Sequence, residues 1–430
     1  METYTTLEAK IKKQKLSIFK LFHLSLALIV IAWLNNGTFT FIMPYVVNYL
    51  RWGLFFVWFG LAILNRRTFL KTIILQLWPL LLFNLYLIII SGFVENELGV
   101  YIKSISYLMI VYSIFLFYVD EKNKWLQKCL IVFLFLDTII VAINTHNAIK
   151  ANPLIARLLA TGGETRDILI GTDTFYGIGT YGYFYSLGSL ILLFCFAFFT
   201  FRKNRYLQIL IIIAFMALLI EASFTIAILL TSLFLFIIII LKATNKYVLI
   251  SILILGLTIL LTLQGAIASL FEALANINGI SNVVSVRFIE LSQFFSGNNI
   301  SGSDMNIRNQ LYYQSLEAFI NNIMTGTVFT SNSMFRAGGH SAWLDLLANF
   351  GLFSIPFFIF LIKAYNYCNS KVPLKYKPLV RIYWLYYVLL GFINTLFASN
   401  IFITWFFLLP LSIVAFFDLK STKGLSNSKE

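Results

Sequence analysis

Charge is scarce in this chain: only 12% of its 430 residues are Asp, Glu, Lys or Arg, against about a quarter in soluble globular domains. With so little polar surface available, no stretch is left that could fold as a soluble appendage, and residues 1–430 read as one integral-membrane unit. Cysteine is rare too. Cys129, Cys195 and Cys368 all lie in or beside apolar runs, so they read as small hydrophobes and a disulfide framework is excluded. Histidine is limited to His23, His146 and His340. There is no His pair at i, i+4, no DxD and no cysteine cluster, so no metal cage is encoded. A phosphate-cradling Walker loop is also missing, which argues against an ATP-driven pump, and no cofactor is implied. No internal repeat is visible.

Apolar residues fill the space that charge leaves. Sixty per cent of the chain is hydrophobic and its mean hydropathy is +0.85, which places it among polytopic all-α membrane proteins. Spans of roughly 20 residues, enough for about 30 Å of hydrocarbon, are expected at 17–34, 41–64, 72–91, 100–119, 129–148, 179–200, 207–220, 224–241, 247–263, 341–362, 382–397 and 400–417. Lysines precede the first of these, but no small-residue cleavage site follows Trp33, so it reads as an uncleaved span. Pro44 and Arg51 suggest a break near the outer end of the second. The apolar stretch 207–241 interrupted by Glu221 would be about 52 Å long as one helix, too long for one crossing, so a tight hairpin is expected.

Basic residues set the orientation. With both termini in the cytoplasm, 24 of the 32 lysines and arginines fall on cytoplasmic segments, as the positive-inside rule requires. The net charge of +14 is therefore an orienting charge at the plasma membrane and not a nucleic-acid patch. Two long outer segments result, 149–178 and, between spans nine and ten, 264–340. In the second, Ser301-Gly-Ser303-Asp304 reads as an N-cap for a helix over 305–322.

The outer basic set is Arg51, Lys103, Lys150, Arg157, Arg166, Arg287, Arg308 and Arg336. Six of the eight are arginine, whose planar fork grips phosphate in bidentate fashion. Arg308 falls in the first turn of the expected helix, where free N–H groups also favour an anion. Local pairing is the alternative: Arg287 with Glu290, Arg308 with Asp304, and Arg166 with Glu164 or Asp167. His23 and His146 read as satisfied interior groups. His340 sits where the long outer segment meets an apolar run, behind Gly338-Gly339 and near Arg336. An imidazole there can take a proton from a sugar hydroxyl near neutral pH. Asp345 is five residues on, some 140° around a helix, and reads as a helix-start group or an orienting one. The string Phe175 to Tyr183 could stack on sugar rings or simply pack at span entry.

The segment from Ile307-Arg308-Asn-Gln to Gly338-Gly-His340-Ser-Ala-Trp-Leu-Asp345, with Gly351 beyond, resembles the O-antigen polymerase/ligase superfamily. Within it, the resemblance is strongest to Wzy-type repeat-unit polymerases of Gram-positive capsule synthesis. The matching positions are Arg308, Gly326, His340, Ser341, Leu344 and Gly351; a usual Gly-x-Gly is here Gly326-Thr-Val, and Leu-Phe-Ser follows Gly351. Residue-level matching covers about 285–355, and topology the rest. The resemblance implies glycosyl transfer on the outer face between oligosaccharides carried on undecaprenyl diphosphate. It implies His340 as base and Arg308, with Arg287 or Arg336, on the diphosphate, with Arg166 in support. A chain-length regulator and a flippase of the same pathway are the implied partners. A ligase of the same superfamily is the near alternative. A flippase for the same lipid is the distant one, disfavoured because of the basic residues only Arg51 lies well inside a span.

Overall fold

The computed structural model describes residues 18–35, 48–94, 98–153, 155–161, 177–201, 204–243, 246–277, 282–296, 304–329 and 337–417, and all the regular structure in them is helical. The first nine segments of the chain's apolar pattern correspond to α1 (Ile18–Leu34), α2 (Asn48–Asn65), α3 (Arg67–Ser91), α4 (Gly99–Val119), α5 (Lys124–Ala151), and, after a short α6 (Ile155–Thr161), α7 (Tyr181–Thr200), α8 (Arg205–Glu221), α9 (Thr225–Ala243) and α10 (Lys246–Thr262). The stretch 264–321 then supplies α11 (Gln264–Ala275), α12 (Asn282–Ser296) and α13 (Asp304–Asn321). The remainder is α14 (Ala342–Phe350), α15 (Ile355–Lys371), α16 (Lys377–Ile393), α17 (Ser399–Ile403) and α18 (Leu409–Phe417), the last two joined by a π-helical turn over Thr404–Leu408. Among the described residues, seven stretches are long and apolar enough to cross a membrane: α3, α4, α5, α7, Thr225–Lys242, Ala342–Lys371 and Ser399–Phe416. Ile18–Leu34 and Leu50–Asn65 are shorter apolar helices.

Several boundaries differ from the sequence expectation, for local reasons. Helix α3 starts at Arg67, not 72, taking in the turn Arg67-Thr-Phe-Leu-Lys71 ahead of the apolar run. Helix α16 likewise starts at Lys377 with Pro378 in its first turn, where a missing N–H is tolerated, and it ends at Ile393, not 397. The stretch expected as one span from 341 is two helices, broken by a 3-10 turn over Gly351–Ser354. The hairpin at Glu221 is present: α8 stops there, Ser223 takes φ +57°, and α9 begins at Thr225. Pro44 lies outside the described residues, and so do Ser301 to Ser303, the expected cap of α13.

Helix α7 runs at the centre, against α8 and α9 on one side and α16 and α17 on the other. Gly188 allows that contact, since a Cβ there would sit 2.3 Å from the Thr231 hydroxyl and 2.5 Å from that of Tyr386. The interior between α4, α15, α16 and the last helix is aromatic. Phe406 meets Phe360, Trp384 and Tyr387 at ring centroids of 5.7, 5.5 and 5.6 Å. Helices α11 and α12 pair as a hairpin closed by Phe271 against Phe288 and Phe295.

Candidate functional site

The corner around His340 is assembled where α13 docks on α14. Two glycines make that docking possible. Gly326, at φ +68°, follows α13, and a Cβ on it would lie 2.3 Å from the Asn349 carbonyl. Gly351, at φ +54°, follows α14, and its Cβ would lie 2.3 Å from the Ile323 carbonyl. Each glycine thus clears the backbone that carries the other, and Leu352 N–H bonds back to Ile323 O at 2.9 Å. The left-handed φ angles add a second reason for glycine at both places.

His340 is half-buried and lies just ahead of Ser341, the N-cap of α14, whose hydroxyl accepts from Leu344 N at 3.3 Å. The turn that carries it is strapped by Asp345. One carboxylate oxygen accepts from Gly339 N at 3.2 Å and from the Ser315 hydroxyl at 2.7 Å; the other accepts from Ser341 N at 3.0 Å. Those two amides flank His340 in the chain. Ser315 Oγ in turn accepts from Gly338 N at 2.8 Å. A Cβ on Gly338 would lie 2.2 Å from Leu311 O, so the turn sits directly on α13. Asp345 is buried and acts electrostatically on His340.

On the same face of α13, seven residues before Ser315 and so about 10 Å along the axis, is Arg308. Its guanidinium hydrogen-bonds the Tyr312 hydroxyl, which itself donates to Ile393 O at 2.9 Å. Burial pushes the Tyr312 phenol up, opposed by the Arg308 charge and hydrogen bond and reinforced by the charge of Asp345. Arg308 also acts on the Tyr185 hydroxyl of α7, which is bonded by the Asn394 side chain. Arg308 Nη1 is buried and has no hydrogen-bond partner among the described residues. Arg308 is the fifth residue of α13, one position further in than a helix start at 305 gives it.

Of the sequence-derived set, His340 and Arg308 are described: Gly338, two residues before His340, bonds Ser315 on α13, and Arg308 lies about two turns before Ser315 on the same helix. Arg287 is on α12, but its side chain lies outside the described residues, and so do Arg166 and Arg336 entirely. Asp304, the local alternative for Arg308, is described only in its backbone. The alternative pair of Arg287 with Glu290 therefore also lies outside the described residues. Tyr185, Tyr312, Ser315 and Asn394 were not read as site residues. Tyr312 and Ser315 share the helical face of Arg308 at i+4 and i+7, a signal present in the sequence, whereas Tyr185 and Asn394 reach the site only through tertiary packing.

The other two histidines differ. His23 is buried, stacked 5.3 Å from Trp58, with Nδ1 at 3.2 Å from the Tyr118 hydroxyl. His146 is satisfied but not interior: it pairs with Glu221 at 2.6 Å, with 37% and 40% of the two side chains exposed. Of the aromatic string, Tyr183 is buried and donates to Thr138 O at 2.8 Å, which is packing; Phe175 and Tyr176 lie outside the described residues. Among the described residues no three His, Cys, Asp or Glu side chains converge as a metal cage would require. The chain matches no protein-family model, and no curated protein matches it.

Proposed function

We propose that this protein is a polyprenyl-diphosphate-oligosaccharide glycosyltransferase of the O-antigen polymerase/ligase superfamily, polymerising lipid-linked repeat units of capsular or exopolysaccharide. It works at the outer face of the cytoplasmic membrane, with twelve spans and both termini inside. In the reaction, the acceptor sugar hydroxyl attacks the anomeric carbon of the donor glycan. The new C–O bond forms as the bond to the diphosphate breaks, and the leaving electron pair departs on the lipid diphosphate. His340 takes the hydroxyl proton. Arg308 balances the charge gathering on the diphosphate, a job that suits a guanidinium in a half-dry site. Arg287, Arg336 and Arg166 are assigned the remaining anionic oxygens, and the ligand is undecaprenyl-diphosphate-linked oligosaccharide.

One observation carries this reading. A buried guanidinium nitrogen without a partner is costly, and among the described residues Arg308 Nη1 has none, on the lobe where an acidic side chain braces the turn bearing the lone outer-loop histidine. A phosphate oxygen would complete it. The test uses purified full-length protein in liposomes with a single lipid-linked repeat unit. Wild type should give a ladder of products and Arg308→Gln should lose about 100-fold in rate. A wild-type ladder from Arg308→Gln at equal protein level overturns the assignment, and a single transfer product without a ladder points to the ligase reaction.

A further inference from the structure

One hydroxyl near Arg308 carries a proton for which the described residues hold no acceptor. Asn394 is the C-cap of α16, and its side-chain oxygen accepts from Thr395 N at 2.8 Å. That bond turns the NH2 of the amide towards α7, where it donates to the Tyr185 hydroxyl. An amide NH2 has donors only, so the Tyr185 oxygen accepts and its own hydrogen is left to point elsewhere. Carbonyls at the end of α16 are already taken. Ile393 O accepts from the Tyr312 hydroxyl at 2.9 Å, and Asn394 O from Ala342 N at 3.1 Å. Among the described residues, nothing accepts the Tyr185 proton.

Other tyrosines set the contrast. Tyr183, two residues earlier on α7, donates to Thr138 O, and Tyr312 accepts from Arg308 while donating to Ile393 O. Tyr112 and Tyr387 also lack a bond, but among the described residues no cation acts on them. Tyr185 is buried and feels both the Arg308 charge and the Tyr312 hydroxyl. Arg308 Nη1 is the second buried donor without a partner among the described residues. Two donors short of an acceptor, from α7 and α13, thus lie within electrostatic reach of each other. A neutral acceptor would leave the guanidinium charge unbalanced. A phosphate balances it and offers oxygens in several directions, one for each helix. Tyr181, one turn nearer the start of α7 with its ring 6.5 Å from that of Tyr185, is half-buried, as is Arg308, so the pair lies just beneath the surface.

We infer that Tyr185 is a second anion-binding residue of this site, its hydroxyl donating to a phosphate oxygen of the ligand whose charge Arg308 balances. That the ligand is a lipid diphosphate rests on the glycosyltransferase reading; the donor itself does not. As the sugar–phosphate bond breaks, negative charge collects on the departing diphosphate. A fixed O–H aimed there strengthens its bond while its proton stays on Tyr185.

Full-length protein in detergent, with 3-fluorotyrosine in place of Tyr185, provides the test. The label keeps the hydroxyl and its bond to Asn394, and its fluorine resonance is followed on titration with farnesyl diphosphate, inorganic pyrophosphate or farnesol. The resonance should shift and saturate with farnesyl diphosphate and stay put with farnesol. Arg308→Gln in the labelled protein should raise the concentration for half the shift about tenfold or more. In unlabelled protein with a matched melting point, Tyr185→Phe should bind farnesyl diphosphate about tenfold more weakly. A shift with pyrophosphate and none with farnesyl diphosphate keeps Tyr185 as an anion donor and overturns the lipid-linked reading. A resonance that neither diphosphate moves, an equal shift with farnesol, or wild-type affinity in Tyr185→Phe overturns the proposal. Ladder synthesis by wild type would in that case leave the glycosyltransferase reading standing.

Discussion

Ser315 donates its hydroxyl to Asp345 across 2.7 Å, and this bond joins α13 to α14. Asp345 collects the Gly339 and Ser341 amides with the same carboxylate, so the residue between them cannot swing without breaking a buried bond. Asp345 is thus a positioning residue for His340, acting through the backbone.

Asp345→Asn tests that role. The amide can keep one acceptor, but its NH2 must then face a donor, at a cost of about 1–3 kcal/mol. Activity should fall about tenfold or more. The pH–rate profile separates positioning from simple damage. Removing a carboxylate that stabilises an imidazolium makes the base easier to free, so the acid limb should move to lower pH. A variant with a lower rate and an unmoved acid limb would show that Asp345 matters to the fold alone.

The paired glycines predict a contrast in stability. Gly326→Ala meets the Asn349 backbone and a left-handed φ together, and should cost roughly 2–5 kcal/mol. Gly60→Ala in α2 meets nothing within 4 Å and should be neutral or slightly stabilising. Thermal melting of the two variants in detergent compares them directly. Equal melting points would mean that α13 does not dock through Gly326.

His146 predicts a null result. Its pair with Glu221 is more than a third exposed, and such pairs contribute about 0–1 kcal/mol. His146→Gln should keep product ladders and melt close to wild type. Loss of ladders at equal protein level would move the base away from His340.

The apolar helices were legible because lipid demands long runs without charge, and the Glu221 hairpin followed from length alone. Helix α13 showed in its spacing. The sequence reads Asp345 as a helix-start or an orienting group, and its bonds to the Gly339 and Ser341 amides are of that kind; the 140° separation has no bearing on them, because Ser341 is the cap and His340 precedes it. Off the helix, the angular rule does not apply, and a carboxylate one turn in folds back over the residues before the cap. Tyr185 feels the Arg308 charge across 123 residues of sequence and is bonded by Asn394, and no local pattern reports such an arrangement.

The central claim is that His340 accepts the proton of the acceptor hydroxyl. The most direct measurement is single-turnover extension of a lipid-linked repeat unit by His340→Ala beside wild type, in liposomes at matched protein and with matching melting points. The account predicts at least about a 100-fold lower rate, with binding of the lipid-linked unit retained. Extension at the wild-type rate would contradict it.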